Sequence, residues 1–161
     1  MVVFKLEWST HMVSGVLAGY VLTGGDWKGA IVGGVAGVIS DLDEPKSKFG
    51  KVLFPISYPL NAIFGHRTFT HSLLFVVILG LLSYFIFPTW VAISVASGVM
   101  AHIVGDMLTG KVKFLYPSKK SFGIPIDFKY FTLIDRVARY SIVVVLFLLI
   151  WKDVSGNSFI L

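Results

Sequence analysis

The nine-residue stretch HRTFTHSLL, residues 66–74, concentrates ionisable side chains at the start of a long apolar run. His66 and His71 supply imidazoles, which bind metal ions and transfer protons near neutral pH. Arg67 supplies a guanidinium, which can bind a phosphate through two hydrogen bonds. This combination of residues indicates metal or proton chemistry on an anionic group.

Other stretches carry residues of the same chemistry. In AHIVGDML, His102 and Asp106 are four residues apart, so they share one face of a helix. In SDLDEP, Asp41 and Asp43 are two residues apart and share a face only if the chain is extended, as the following proline favours. His66 and His71 are five residues apart, which places one in a loop and the other on the first turn of a helix, capped by one of the threonines between them.

The composition favours an integral membrane protein. The chain has 161 residues, of which 55% are hydrophobic and only 14% are charged, and its mean hydropathy is +0.80. Soluble domains are typically about 25% charged. The absence of cysteine excludes thiolate metal sites and disulfides, which leaves histidine and carboxylates as the available ligands.

Three apolar runs predict membrane-spanning helices at about 70–87, 90–108 and 138–151. Two shorter runs rich in glycine and alanine, 12–22 and 27–39, predict a tight helical hairpin that spans the membrane or re-enters it. The N-terminal residues lack a signal-peptide pattern, so we expect the first helix to be retained. We predict an all-α integral membrane protein with four to five transmembrane helices, an N-terminal helical hairpin and two long cytoplasmic interfacial loops.

The basic residues predict the orientation. If the N-terminus and the loops 41–69 and 109–137 share one side of the membrane, that side carries twelve of the 14 lysines and arginines, counting Arg139 just after the second loop. Positive charge concentrates on the cytoplasmic side of membrane proteins. We therefore expect this side, and any active site on it, to face the cytoplasm.

On this topology the ionisable residues meet at one depth. His11 opens the first helix, and the other histidines and aspartates lie at helix ends on the same side. Because buried charges in a membrane are costly, we predict a shared metal site. The donor types favour zinc or manganese, and magnesium is also allowed. Each motif also has a structural interpretation, such as an interfacial histidine, a solvated acidic turn or an arginine anchor.

The ordered motifs TH, DLDEPKS, HRTFTHSLL and HIVGDMLT, followed by GKVKFLYPSKKSFGIP, resemble the YdjM-like family over about residues 11–125. Its members are inner-membrane proteins described as LexA-regulated or LexA-binding metal-dependent hydrolases. Two positions differ from the usual family pattern. Thr68 stands where glycine is common, and Glu44 stands where histidine is common.

The resemblance implies a single membrane-embedded metal-dependent hydrolase domain over residues 1–161. It implies a set of metal ligands, which are His11, Asp41, His71, His102 and Asp106. We further predict that Asp43 or His66 transfers protons and that Arg67, with Lys119 and Lys120, holds an anionic head. The predicted substrate is a phosphoester or other ester of a lipid or lipid-linked molecule, and we expect membrane lipids but no nucleic acid as partners.

Two other functions fit the same residues. A metal or proton transporter would use a histidine and aspartate cluster, although transporter sites usually lie near the midplane of the bilayer. A regulatory membrane protein would bind a partner through the basic loops and would need no metal. The sequence leaves the substrate, the number of metal ions and the oligomeric state open.

Overall fold

The computed structural model describes residues 7–124 and 131–156, and these residues form an all-α fold. The seven α-helices are α1 (Trp8–Leu22), α2 (Trp27–Ala36), α3 (Lys48–Val52), α4 (Phe54–Phe64), α5 (Leu73–Ile86), α6 (Thr89–Thr109) and α7 (Phe131–Ser155). Two short 3-10 helices, Ile39–Asp43 and Phe69–His71, precede α3 and α5. The described residues contain no strand, only one isolated antiparallel bridge between Val112 and Phe122.

Glycine residues bring the backbones of α1, α2 and α6 into direct contact. A Cβ atom on Gly15 would collide with the carbonyl oxygen of Gly33, and one on Gly98 would collide with the same oxygen. A Cβ atom on Gly37 would likewise meet the carbonyl oxygen of His11. Small residues allow this close approach in membrane helices. The glycine spacing in α2 therefore serves internal packing of the predicted helical hairpin against α6.

The remaining helices pack around this centre. A small buried apolar cluster joins α2, α5, α6 and the segment after α6, and its members are Ala36, Val76, Val99, Ile103 and Val112. The last helix, α7, lies against α1. Near the end of α7, the Tyr20 hydroxyl donates to Asp153 Oδ2 at 2.5 Å.

One described helix, α6, is both long and apolar enough to cross a membrane. Helix α7 has 25 residues, but charged residues at both ends interrupt its apolar stretch. Helix α5 has 14 residues because the 3-10 helix occupies the start of the predicted run. By length and composition, the described helices thus include one that could span a membrane. The count of four to five spans stays a prediction.

The two predicted interfacial loops contain local structure. The first holds a 3-10 helix, α3 and α4, and α4 exposes apolar side chains such as Phe54, Ile56 and Ile63. In the second, Val112 and Phe122 exchange two backbone hydrogen bonds of 2.8 and 2.9 Å, as expected for a narrow hairpin. Residues 125–130 of that loop lie outside the described ranges.

The residue that caps α5 differs from our prediction. Ser72, not Thr68 or Thr70, accepts a hydrogen bond from the backbone N–H of Phe75 and begins the helix. The Thr70 hydroxyl donates instead to Asp43 Oδ2. The prediction was wrong because a 3-10 turn intervenes before the helix, so the first α-helical residue comes later.

The glycine contacts predict a specific sensitivity to added methyl groups. We expect Gly98→Ala to destabilise the protein by about 1–3 kcal/mol, because the new Cβ would overlap rigid backbone atoms of α2. The matched control is Gly80→Ala on α5, whose Cβ would lie 3.5 Å from the Ala96 Cβ in ordinary contact. Thermal unfolding in detergent measures both variants. Equal stability of Gly98→Ala and the wild type would contradict the close approach.

Candidate metal centre

All four histidines converge with three aspartates in one cluster, which we call the candidate metal centre. Its members come from α1, both 3-10 helices, the turn before the second 3-10 helix, and α6, and they are His11, Asp41, Asp43, His66, His71, His102 and Asp106. Six of the seven residues are at most 2% exposed, whereas the side chain of His66 is 25% exposed. The interpretations of His11 as an interfacial residue and of the SDLDEP aspartates as a solvated turn are therefore wrong.

A backbone carbonyl determines the tautomer of His102. The Nδ1 atom of His102 lies 2.8 Å from the Gly37 carbonyl oxygen, which can only accept a hydrogen bond. Nδ1 is therefore protonated, and Nε2 of the neutral ring keeps its lone pair. That lone pair faces the centre, where Nε2 lies 3.1 Å from His71 Nε2 and 3.8 Å from Asp106 Oδ2. A backbone acceptor on the second nitrogen is typical of metal-binding histidines.

His71 lies between two carboxylates. Its Nε2 is 3.0 Å from Asp106 Oδ2, and its Nδ1 is 3.3 Å from Asp43 Oδ2. Burial alone would lower the pKa of His71, but hydrogen bonds with Asp106 and Asp43 raise this pKa to about 9. The two carboxylates therefore favour the protonated ring of His71 when no cation is bound. A bound divalent cation would take the place of that proton.

Asp43 accepts hydrogen bonds from several directions. His66 Nδ1 donates to its Oδ1 at 2.7 Å, and the backbone N–H of Arg67 donates to its Oδ2 at 3.2 Å. The Thr70 hydroxyl donates to the same Oδ2. Burial raises the pKa of Asp43, but the hydrogen bonds with His66 and His71 outweigh burial and hold this pKa well below its usual value. Asp43 is therefore a carboxylate that orients both histidines.

The imidazole ring of His11 is buried, while its backbone bonds to Glu7 and Ser14. Its ring stacks on that of His102 with 3.8 Å between ring centroids. Neither ring nitrogen has a hydrogen-bond partner within the described part of the chain, although Nε2 lies 3.5 Å from Asp106 Oδ1. An unsatisfied buried polar group costs about 1–3 kcal/mol. Metal coordination by His11 would remove this cost, so the residues present fit a bound cation.

Asp41 is the third aspartate whose carboxylate faces the centre. It is 2% exposed, and its Oδ1 lies 3.9 Å from His102 Nε2. The Ser47 hydroxyl donates to the Asp41 carbonyl oxygen at 3.0 Å and holds the 3-10 helix against α3. Asp41 thus faces the centre because the helical turn that carries it is fixed by side-chain contacts.

Three overlapping groups of residues could hold a metal ion. Within each group the ligand atoms lie within 4.8 Å of one another. The groups are His11 with His102 and Asp106, Asp41 with His71 and His102, and Asp43 with His66 and His71. His102 belongs to the first two and His71 to the last two. Nitrogen and oxygen donors of this kind suit zinc, manganese or iron.

Arg67 lies at the edge of the centre. Its Nη2 donates to Asp106 Oδ1 at 2.9 Å, and its side chain is 10% exposed. A φ of 59° at Arg67, unusual for a residue other than glycine, directs the side chain inward. Gly110 leaves space for the guanidinium, because a Cβ there would collide with Nη1. Arg67 thus pairs with a carboxylate of the centre.

The structure brings together the five residues predicted as metal ligands with Asp43, His66 and Arg67. Lys119 and Lys120, which we also predicted to hold the anionic head, are exposed. The roles of these residues stay predictions. Sequence reasoning missed the contact of Thr70 with Asp43 and treated Thr70 as a helix cap. Glu44, which the sequence marks as a departure from the family pattern, lies with its Oε2 3.7 Å from His66 Nε2. The position of Thr70 directly before His71 was the available signal, and only the fold shows which carboxylate it meets.

The chain is similar to known proteins over most of its length. The family model described as YdjM inner membrane protein matches residues 6–158. The chain is 37% identical over 114 residues to the inner membrane protein YdjM of Escherichia coli strain K12, covering 66% of this chain and 58% of that protein. It is 33% identical over 106 residues to the uncharacterized protein YvsG of Bacillus subtilis strain 168, covering 62% of this chain and 64% of that protein.

The chain spans less than two thirds of the length of these curated relatives. No solved structure matches it significantly. The family match covers nearly the whole chain, including every segment that contributes to the candidate metal centre. The chain therefore belongs to the YdjM inner membrane protein family.

Proposed function

We propose that this protein is a single-domain, membrane-embedded, metal-dependent hydrolase that cleaves a phosphoester or other ester of a lipid or lipid-linked substrate. The observation that carries the proposal is the buried candidate metal centre, in which neither ring nitrogen of His11 has a hydrogen-bond partner among the described residues and His102 presents an unprotonated Nε2. Purely structural polar contacts would satisfy such groups. A divalent cation satisfies them together.

The lengths of the helices and their exposed apolar side chains support a membrane arrangement. Spanning takes about 20 helical residues, and α6 and α7 have 21 and 25. Helices α1 and α5 are shorter, but α5 exposes Leu74, Val77, Leu81 and Phe85, as expected for contact with lipid. We propose four to five membrane helices, with α2 as the short return of the hairpin.

We propose that the candidate metal centre lies at the cytoplasmic face. Most lysines and arginines flank the ends of the helices that carry the ligands. Helix α4 ends two residues before His66, and Asn61 Nδ2 on it donates to the Asp43 carbonyl oxygen at 2.7 Å. Because α4 exposes apolar side chains including Phe54, Tyr58 and Ile63, it suits the level of the lipid headgroups.

Five residues would hold the cation, and they are His11, Asp41, His71, His102 and Asp106. Zinc fits best, with manganese or magnesium as alternatives, since the set combines neutral imidazoles with carboxylates and lacks thiolates. A bound cation of this kind supplies an activated water and polarises the bond to be cleaved.

The other residues of the site would bind, orient and move protons. His66 is the most exposed histidine, and its Nε2 faces Glu44, so we assign it proton transfer to or from the substrate. Asp43 accepts hydrogen bonds from both His66 and His71, so it acts mainly as a positioning residue. Arg67 would balance the charge of Asp106 and hold an anionic group of the substrate.

The metal content of the purified protein tests the proposed centre. Detergent-purified wild-type protein is expected to hold one or two zinc or manganese ions per chain, measured by elemental analysis. His71→Ala and Asp106→Asn are expected to lose them, because each removes a residue of the overlapping ligand groups. Asp26→Asn is the matched control, since asparagine also caps a helix and Asp26 lies at the turn between α1 and α2.

The outcomes separate the alternative functions. Metal-dependent release of phosphate or a phosphorylated headgroup from a lipid panel supports the hydrolase. Metal binding without hydrolysis, together with metal uptake into liposomes that depends on Asp106, favours a transporter. No metal after incubation with zinc and manganese, with unchanged stability of His71→Ala, favours a regulatory membrane protein.

Substitution of Arg67 tests its proposed role in substrate binding. We expect Arg67→Lys to retain the metal but to lower kcat/KM for an anionic ester by about 10- to 100-fold, as other partners of metal ligands do. Lysine keeps the charge but cannot form two parallel hydrogen bonds. Lys119→Ala, on an exposed side chain, is the control and is expected to change kcat/KM much less. An unchanged kcat/KM in Arg67→Lys would remove Arg67 from substrate binding.

A further inference from the structure

An apolar crevice lies between α1, α6 and α7. Its volume is about 490 Å³. Aliphatic side chains form most of its walls, among them Ala101, Val104, Leu108, Ile134, Ala138 and Ile142. Apolar walls offer water no hydrogen bonds. The crevice therefore suits a hydrocarbon ligand.

Polar contacts hold α7 in place on both sides of this crevice. At the start of α7, Arg139 Nη1 lies 2.6 Å from Glu7 Oε2, and the Thr10 hydroxyl donates to Asp135 Oδ1 at 2.8 Å. Toward its end, the Tyr20 hydroxyl donates to Asp153. These contacts tie α7 to α1 alone. The crevice beside α6 thus results from the way these contacts position α7.

Asp135 gives the crevice one polar wall. It is 1% exposed and, among the described residues that line the cavity, the only ionisable one. Its Oδ1 accepts hydrogen bonds from Thr10 and from the backbone N–H of Glu7, but its Oδ2 has no hydrogen-bond partner among the described residues. The Nη1 atom of Arg139 lies 3.9 Å from Oδ2. An acceptor therefore remains for a donor group on a ligand.

The crevice is next to the candidate metal centre but separate from it. Thr10 and Gly105 line the crevice, and their chain neighbours His11 and Asp106 belong to the centre. Consecutive helical residues point about 100° apart, so the two sites occupy adjacent faces of α1 and α6. A ligand in the crevice would lie beside the centre.

We propose that this crevice binds one membrane lipid, with a hydrocarbon chain between α6 and α7 and a headgroup hydroxyl or ammonium donating to Asp135 Oδ2. The apolar walls select the chain, and the buried carboxylate selects a headgroup that carries a donor. Because α6 is long and apolar enough to span a membrane, lipids have direct access to this face. The site is independent of hydrolysis and goes beyond the proposed function.

The test uses full-length protein in nanodiscs that contain a lipid with a photoactivatable acyl chain. The lipids are phosphatidylethanolamine with an ammonium, phosphatidylglycerol with hydroxyls, and phosphatidylcholine, whose headgroup has no donor. Mass spectrometry locates the crosslinks. We expect crosslinks enriched at crevice residues such as Leu108 and Ile142 for the first two lipids, and about tenfold fewer for phosphatidylcholine.

A pair of variants completes the test. Ala138→Phe fills the crevice and is expected to abolish the enrichment, whereas Val144→Phe, on a face of α7 outside the crevice, is expected to preserve it. Unchanged metal content and thermal stability identify Ala138→Phe as folded, and Ala138→Val serves as a smaller filling if it is not.

Crosslinks spread evenly over α5 and α7 in the wild type would overturn the site. Equal crevice labelling by all three lipids would overturn the role of Asp135. Crevice labelling without hydrolysis of any lipid would uphold this inference while removing the proposed function.

Discussion

The structure depends on the contact at Gly37, where α1 and α6 meet the end of α2. The missing side chain lets the backbone of His11 approach, and the Gly37 carbonyl oxygen accepts the Nδ1 proton of His102. This one residue therefore places two histidine rings in a stack and determines the tautomer of one of them. The close packing of backbones at Gly37 thus helps to determine the geometry of the candidate metal centre.

The second half of the centre is built by short, irregular segments. The 3-10 helices Ile39–Asp43 and Phe69–His71 lie against each other, and Asp43 and Thr70 form the contact between them. Short 3-10 helices change the direction in which successive side chains point, relative to an α-helix. Asp43 therefore faces His66 and His71, while Asp41 faces His102. Two aspartates close in sequence meet different histidines.

Lipid and metal meet at the same end of this fold in our proposals. The interfacial helix α4 connects to Asp43 through Asn61, and the crevice lined by α6 and α7 lies one helix face away from Asp106. The buried polar groups are concentrated in the candidate metal centre and around Asp135, and the outer surfaces of α5 and α7 are apolar. This division of polar and apolar groups supports the proposed hydrolase at a membrane surface.

The sequence by itself determined the all-α class, the family and the residues that gather in the centre. Strong apolar runs and ordered polar motifs are local signals, so they can be identified along the chain. The tertiary structure alone decided that Asp43 is surrounded by hydrogen-bond donors, that Arg67 pairs with Asp106, and that Ser72 caps α5. It alone revealed the crevice at Asp135, a residue that no motif singles out. These features depend on contacts between residues distant in sequence, and periodicity along one helix carries no information about what the neighbouring helix presents.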